Sequence, residues 1–456
     1  MSKANGLQQA QAEPYPTYIV TNHFTRLFSI VIIHPVTRFC LIGPTYPYRG
    51  GIAHYTTLLA QHLRQEHEVL LISFSRQYPH WLFPGRDDRD PSHNPLKAEA
   101  EYLLDSLNPL SWWRTLRRIR AWQADVVVIP WWVPFWAPVW AYLGWGIKRL
   151  PGPPKLLFIC HNVLPHEESR LDKLALRLAL SSGDGFIVHS QADGQRLRGI
   201  WPEARVQVTP LPTYEGLGQS AAASPTLSLP TDRPILLFFG FVRPYKGLDV
   251  LLEALPLVLA QRPVHLVIVG EFWQGAERYE EQIERLGLRP HITLIDRYVP
   301  DEELIAYVQR ANVAILPYRS ATQSAVVQVA LGHGCPVITT NVGGLAEAVE
   351  DGVTGLVVPP ENSSALAAAV CHYLSQNLEP RFRSQHPTNQ STFLLALSTR
   401  CLRGANPIMS RIVFVLTQSL DSPSGLGRYG PLARELTQRG HEIELLALHP
   451  DWDLIV

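Results

Sequence analysis

Cysteine is scarce in this chain and shows no pairing pattern. Cys40, Cys160, Cys335, Cys371 and Cys401 are scattered and form no C-x-x-C motif, which excludes a disulfide framework and a zinc site legible from spacing. Reduced thiols of this kind point to the cytosol. Charge of one sign is missing too. Lys+Arg number 40 and Asp+Glu 40, so the basic excess of a nucleic-acid binder is absent. No secretory leader is visible, because residues 1–26 are polar and mixed and the apolar run from Leu27 to Ile33 lacks a small-residue cleavage site. Residues 1–35 read as an extension outside the fold. A long apolar run is also lacking. The longest uncharged stretch, Val126 to Ile147, has 22 residues, but Pro130, Pro134 and Pro138 interrupt it and each removes a backbone donor. A buried strand at 126–129, a Trp/Pro loop and a short helix are expected there in place of a membrane span.

What is present is a globular composition. Hydrophobic residues make up 46% and charged residues 18% of 456, enough apolar surface for two or three cores. Strands of β-branched and aromatic residues alternate with amphipathic helices: FCLIG (39–43), helix 55–66, EVLLISF (68–74), VVVIP (126–130), KLLFICH (155–161) and GFIVHS (185–190). A Gly/Ala/Ser/Pro-rich stretch at 216–232 reads as a linker. The alternation then resumes with ILLFFG (235–240), helix 248–261, HLVIVG (265–270), ITLID (292–296), helix 301–311, VAILP (313–317), PVITT (336–340) and GLVVP (355–359). The expected fold is α/β, two doubly wound Rossmann-like domains facing a cleft, at 36–215 and 233–382. After residue 382 the order decays through an irregular segment, 383–408. A fresh strand opens at Met409, and 425–448 echoes 51–74 at an offset of about 373–374 residues. Residues 409–456 therefore read as a truncated repeat of the first domain's opening, left by a frameshift or a fused neighbouring gene and too small for a core of its own.

Three segments carry chemistry. In PTYPYRGGIAHY (44–55), Gly50 and Gly51 stand between a strand and a helix start, where bare backbone and free helix N–H groups can meet a phosphate or sugar. In FGFVRPYKGL (239–248), Arg243 and Lys246 lie beside Gly240 and Gly247, a pair of cations able to clamp a diphosphate. The third is QSAVVQVALGHGCPVITTNVGGLAEAVEDGVTGLVVPP (323–360), punctuated by Gly343, Gly344 and Glu347.

Together these segments resemble the retaining nucleotide-sugar glycosyltransferases of family 4 (group 1), with the GT-B fold, over roughly residues 36–382. The resemblance implies a nucleotide diphosphate sugar bound in the second domain, a glycan or lipid-linked acceptor bound mainly in the first, and cell-envelope or polysaccharide synthesis as the setting. It implies no metal, the protein's cations neutralising the diphosphate. Lys246 matches the family lysine. The family arginine position is taken by Phe241, which leaves Arg243 as the substitute. His161 resembles the family histidine near the transferred sugar. Two family glutamates eight residues apart are absent, their places held by Ala321 and Val329. Gln323, Ser324 and Gln328 are the nearby polar groups able to bond sugar hydroxyls. A non-catalytic sugar-nucleotide-binding module is the competing expectation. A GT-B epimerase would need acidic and histidine groups on both cleft walls, and no such set is visible.

Nine of the 12 Trp fall between 81 and 145, flanked by Arg114, Arg117, Arg118, Arg120, Lys148 and Arg149. About half are expected in the core. The remainder, within 112–149, suit peripheral contact with the inner face of a membrane.

Overall fold

A computed structural model describes residues 19–20, 28–32, 36–79, 81–82, 85–164, 170–218, 227–273, 275–385, 411–416 and 442–448. The chain divides into two units, a main body from Arg38 to Gly404 and a small one drawn from the two terminal stretches with 66–68.

In chain order the first strands, β1 (Ile19–Val20) and β2 (Phe28–Ile32), belong to the small unit. The main body opens with β3 (Arg38–Ile42), α1 (Gly51–Leu63), β4 (Glu68–Arg76), β5 (Glu101–Asp105), α2 (Pro109–Trp122), β6 (Val126–Trp131) and α3 (Ala137–Ile147). It continues with β7 (Lys155–Cys160), α4 (Arg170–Leu180), β8 (Gly185–Val188), α5 (Gln191–Ile200) and β9 (Val206–Val208). These seven strands form one sheet in the order β5-β4-β3-β6-β7-β8-β9. The pairs β3–β6, β4–β5, β6–β7, β7–β8 and β8–β9 are parallel.

The second half repeats the plan with β10 (Ile235–Phe239), α6 (Leu248–Leu259), β11 (His265–Val269), α7 (Ala276–Arg285), β12 (Ile292–Ile295) and α8 (Asp301–Arg310). Then come β13 (Val313–Leu316), α9 (Ala325–Gly332), β14 (Val337–Thr340), α10 (Gly343–Ala348), β15 (Gly355–Val358), α11 (Ser363–Ser375) and α12 (Glu379–Arg383). Its six-stranded parallel sheet has the order β12-β11-β10-β13-β14-β15. Strands buried on both faces explain the unbroken apolar runs VVVI and ILLFF, whose residues are all buried. In each sheet the order reverses next to its first strand, between β3 and β6 and between β10 and β13. A crevice for ligand opens at such a point.

Two sequence expectations shift. The first helix starts at Gly51, four residues earlier than its apolar pattern suggests, because Gly50 at φ 102° turns the chain directly into the helix. Strand β5, EYLLD, is missing from the sequence reading because it is short and edge-placed and carries an acid at each end. The stretch 126–147 folds as anticipated, a buried strand, a 3₁₀ turn at Pro134–Trp136 and helix α3. Among the described residues no helix is long and apolar enough to cross a membrane.

Four of the nine clustered tryptophans, Trp131, Trp132, Trp136 and Trp140, are buried. Trp136 and Trp140 stack at 5.2 Å, and Phe74 packs on Trp136 at 4.7 Å. The indole N–H of Trp132 donates to Tyr78 Oη at 2.6 Å. Trp81, Trp113 and Trp145 are exposed.

The small unit is a four-stranded sheet, β1-β2-β17-β16, completed by β16 (Arg411–Leu416) and β17 (Glu442–Leu448). β16 and β17 pair in parallel, as a strand–helix–strand repeat requires, and β17 also pairs antiparallel with β2. The N-terminal stretch expected to lie outside the fold thus supplies two strands here, β2 being an apolar run, FSIVI, able to cover the open edge of β17. The helix expected between β16 and β17 lies outside the described residues, as do most of the linker (219–226) and most of the irregular segment (386–408).

Candidate active site

Both crevices face one cleft. The loop after β3 brings Gly50 and Gly51, and the loop after β10 brings Gly240, Arg243 and Lys246, around a single cavity of about 260 Å³. His54, Phe241, Glu271, Trp273, Arg297 and Tyr298 complete its working surface. An adjoining cavity of about 240 Å³ shares Gly51, Tyr214, Arg243, Tyr245 and Ala325 and adds His161 and Gln323.

The β10 loop is shaped by its glycine. Gly240 sits at φ 89°, and a Cβ there would stand 3.0 Å from Lys246 Nζ, so a side chain at 240 would crowd the ammonium. The chain then makes a 3₁₀ turn, Pro244–Lys246, which carries Lys246 inward to 5% exposure. Burial first, and the charge of Arg243 second, push the Lys246 ammonium down to about 7. Arg243 lies over the Trp273 ring at 3.6 Å from its centroid and over Tyr245 at 5.7 Å. A buried lysine that has surrendered part of its charge is primed for an anion, whose arrival restores the proton.

His161 follows β7 and is 4% exposed. Its ring meets Tyr55 edge-on at 4.7 Å and His189 at 5.3 Å. Burial, and then His189, hold its pKa well below the ordinary histidine value. Burial thus favours the neutral imidazole, and its Nε2 has no partner among the described residues.

The remaining expected residues are placed elsewhere, and each has a physical reason. Gln323 reaches the second cavity, where its amide nitrogen donates one N–H to the His161 carbonyl at 2.8 Å and its Oε1 has no partner among the described residues. Ser324, Gln328, Gly343, Gly344 and Glu347 line neither cavity. The Ser324 hydroxyl is 3.5 Å from Tyr318 Oη, and Gln328 is buried within α9. Gly343 sits at φ 47°, with its Cβ position 1.7 Å from the Ala321 carbonyl oxygen, so it allows two backbone segments to touch. The Glu347 carboxylate accepts the Gln191 N–H at 3.0 Å and 3.1 Å, at the start of α5 in the first half.

Sequence reading misses a set of cross-cleft pairs. Arg49 and Glu271 meet at 2.7 Å with side chains 4% and 3% exposed, and the Arg49 guanidinium lies 4.4 Å over Tyr298 and 5.2 Å over Phe241. A cation from the first half thus covers the residue that stands in the family arginine position. His54 contacts Asp301 at 3.2 Å. Arg86 pairs with Asp296 at 2.8 Å, and Thr322 donates to Asn162 at 2.7 Å. Partners so distant in sequence leave no local signature.

Two doubly wound α/β halves facing across a cleft, with glycine loops and cations at both switch points, define the GT-B class. Comparison with known proteins narrows this. Residues 49–213 match Glycosyltransferase Family 4 and residues 233–376 match Glycosyl transferases group 1. The chain belongs to the family 4 (group 1) glycosyltransferases. It is 30% identical over 243 residues to a D-inositol 3-phosphate glycosyltransferase of Streptomyces coelicolor, covering 51% of this chain and 52% of that one. It thus spans about half the length of that curated relative. Among solved structures, sucrose-phosphate synthase from Thermosynechococcus elongatus superposes with TM-score 0.55 at 20% identity, over 89% of this chain and 100% of that chain. Anabaena HepE, solved in complex with UDP, superposes with TM-score 0.56 at 17% identity, over 80% and 97%. These structures share the GT-B fold.

Proposed function

We propose that the protein transfers a hexose from a nucleotide diphosphate sugar to a glycan or lipid-linked acceptor, with retention of configuration and without a metal. The observation that carries this reading is Lys246, buried beside Arg243 in a cavity walled by Gly50, Gly51 and Gly240. Negative charge grows on the diphosphate as the glycosidic bond breaks, and fixed cations favour that charge most in the transition state. His161, neutral and carrying an unpartnered ring nitrogen, is suited to a hydroxyl of the transferred sugar. Ala321 and Val329 hold the places of the two missing glutamates, so positioning of the donor falls to His161, Gln323 and backbone. The UDP and UDP-glucose complexes of Anabaena HepE make UDP and UDP-glucose the first probes to try. Turnover of any donor in the presence of a chelator, with NMR of the first-formed product, tests the reading. An inverted anomer or an absolute metal requirement would defeat it.

A second reading, a sugar-nucleotide-binding module without turnover, draws on Ala321 and Val329 and on the engaged amide of Gln323. Donor binding with no transfer to any acceptor would select it.

The acceptor side suits a lipid-linked substrate met at the cytoplasmic face of a membrane. Leu110 and Trp113 on α2, Trp145 on α3, and Leu171, Leu174 and Leu178 on α4 are all exposed. Arg117 lies over Trp113 at 4.8 Å and Arg149 over Trp145 at 3.4 Å. Cation-backed tryptophans beside a leucine stripe fit an anionic interface.

A further inference from the structure

We propose that His54 and Asp301 form a proton-dependent latch that holds the two halves closed over the donor cavity; the proposal rests on the reading of that cavity as the donor site. His54 is on α1 in the first half and lines the cavity beside Gly50 and Gly51. Asp301 is the first residue of α8 in the second half. Nε2 of the one and Oδ2 of the other are 3.2 Å apart, and the residues are 7% and 1% exposed.

The contact is an ion pair that depends on the proton. No described residue completes a well-aligned hydrogen bond to either oxygen of Asp301, so the nearby imidazolium is what compensates the carboxylate. A neutral imidazole would leave a buried charge unpaired, a costly arrangement. Other groups in the vicinity add negative character. The Asp90 carboxylate falls within 4.8 Å of the other two groups and accepts from the Ser92 N–H at 2.9 Å and its hydroxyl at 2.5 Å. The Tyr214 ring meets His54 edge-on at 6.5 Å, and the half-buried Tyr298 phenol is close enough to Asp301, Asp90 and Arg49 to feel their charges. Burial works against the His54 proton, but Asp301 and then Asp90 override it and raise the pKa above the ordinary value.

The surrounding contacts make this point a closure device. Helix α8 has no side-chain cap of its own. Its first N–H, that of Asp301, is taken across the cleft by Ser92 Oγ at 2.9 Å, and the Glu302 carboxylate accepts the His93 N–H at 2.9 Å. Opening the cleft therefore uncaps α8 and separates the ion pair together. In an open cleft His54 returns to water and its ordinary pKa. Protonation then favours the closed form, fully below about 6.5, and that support is lost as pH rises through the raised value. The Arg49–Glu271 pair also joins the two halves, at 2.7 Å, so the latch adjusts the balance of open and closed forms without setting it alone.

The test measures closure directly on the full chain. Spin labels at one exposed position in each half, such as Ser181 and Glu253, report the distance between the halves without nucleotide. The distance should lengthen as pH rises from about 6 to about 9. Asp301→Asn and His54→Gln should each flatten that profile, and His54→Lys, which keeps its charge to higher pH, should move the midpoint up by roughly a unit or more. Far-UV circular dichroism shows that each variant is folded, and Asp301→Asn preserves the side chain's shape. A wild-type distance that does not change with pH, or a His54→Gln profile matching wild type, overturns the latch. The affinity for UDP, measured over the same range, separates the two readings: absence of UDP binding at every pH removes the donor assignment while leaving the distance profile as an independent result.

Discussion

Lys246, in the loop after β10, is 5% exposed, and its ammonium is pushed down to about 7. Arg117 and Arg149, on helices of the first half, instead lie over Trp113 and Trp145, which are 46% and 63% exposed. The two halves share one topology, yet these cations are used in opposite ways. A buried cation loses hydration and becomes specific for an anion that enters the same pocket. A surface cation keeps its hydration and acts additively with its neighbours on an extended anionic partner. The contrast separates Lys246, in a cavity sized for one compact ligand, from Arg117 and Arg149, over rings on open surface.

The sharpest break of that comparison is Lys246→Ala. Removing the buried cation should reduce kcat/KM by roughly 2–4 kcal/mol of transition-state stabilisation, about 30- to 1000-fold, and Arg243→Ala should do similar damage. Near-normal turnover of both variants would remove the diphosphate clamp. Lys246→Met carries the opposite effect on the apo fold. The folded pKa of Lys246 lies near 7 against an ordinary value of 10.5, so the group's contribution to stability falls as pH drops from the higher value toward the lower. At neutral pH the methionine variant should be more stable by roughly 1–2 kcal/mol while losing donor affinity. A lowered thermal midpoint would show that Lys246 is held by contacts that outweigh its burial.

A smaller effect follows from the same lysine. Diphosphate binding should draw a proton onto Lys246, so calorimetry in buffers of different ionisation enthalpy near pH 8 should report uptake approaching one proton per site. Affinity should then fall by up to about tenfold per pH unit above about 7. The His54 latch acts in the same direction, and Lys246→Met separates the two: it should abolish the proton uptake at the diphosphate and leave the distance profile of the halves in place.

How far this site can be read from sequence divides along similar lines. Runs such as ILLFF and VVVI announce strands buried on both faces, and the glycine loops after β3 and β10 mark both switch points. The position of Lys246 and Arg243 at the cavity is legible because both follow a strand end in a glycine-flanked loop. The edge strand β5 escapes because its acids break the apolar pattern. Glu347 looks like a ligand group in sequence and caps α5 in the fold, since a carboxylate suits either place. Arg49 with Glu271 and His54 with Asp301 cannot be anticipated, because each pair spans the cleft, and Arg49 and Glu271 stand 222 positions apart.

On the first half's surface the expected changes are modest. Trp113→Ser with Trp145→Ser should weaken binding to vesicles containing anionic lipid by roughly 3- to 10-fold, and Arg117→Gln with Arg149→Gln should act similarly, with a dependence on salt. UDP affinity should not change, because none of these residues lines either cavity. Equal binding of wild type and variants, or equal binding to anionic and neutral vesicles, would return this face to ordinary surface.

The smallest effect is expected from the terminal unit. Its strands β16 and β17 repeat the opening of the first half, and the segment carries no counterpart of Lys246, of Arg243 or of the 323–360 signature. β17 also pairs with β2, so deleting 409–456 alone would strip β2 of its longer partner and leave an apolar strand edge beside β17's place. Removing 1–35 and 409–456 together avoids that exposure. None of the residues lining the two cavities lies in either segment, so UDP affinity should stay within about twofold and the thermal midpoint within a few degrees. The single deletion should aggregate more readily than the double one, through the unpaired edge of β2. A collapse of donor binding in the double deletion would show that the terminal strands support the main body. Identical solubility of the two deletions would show that the β2–β17 pairing carries little weight.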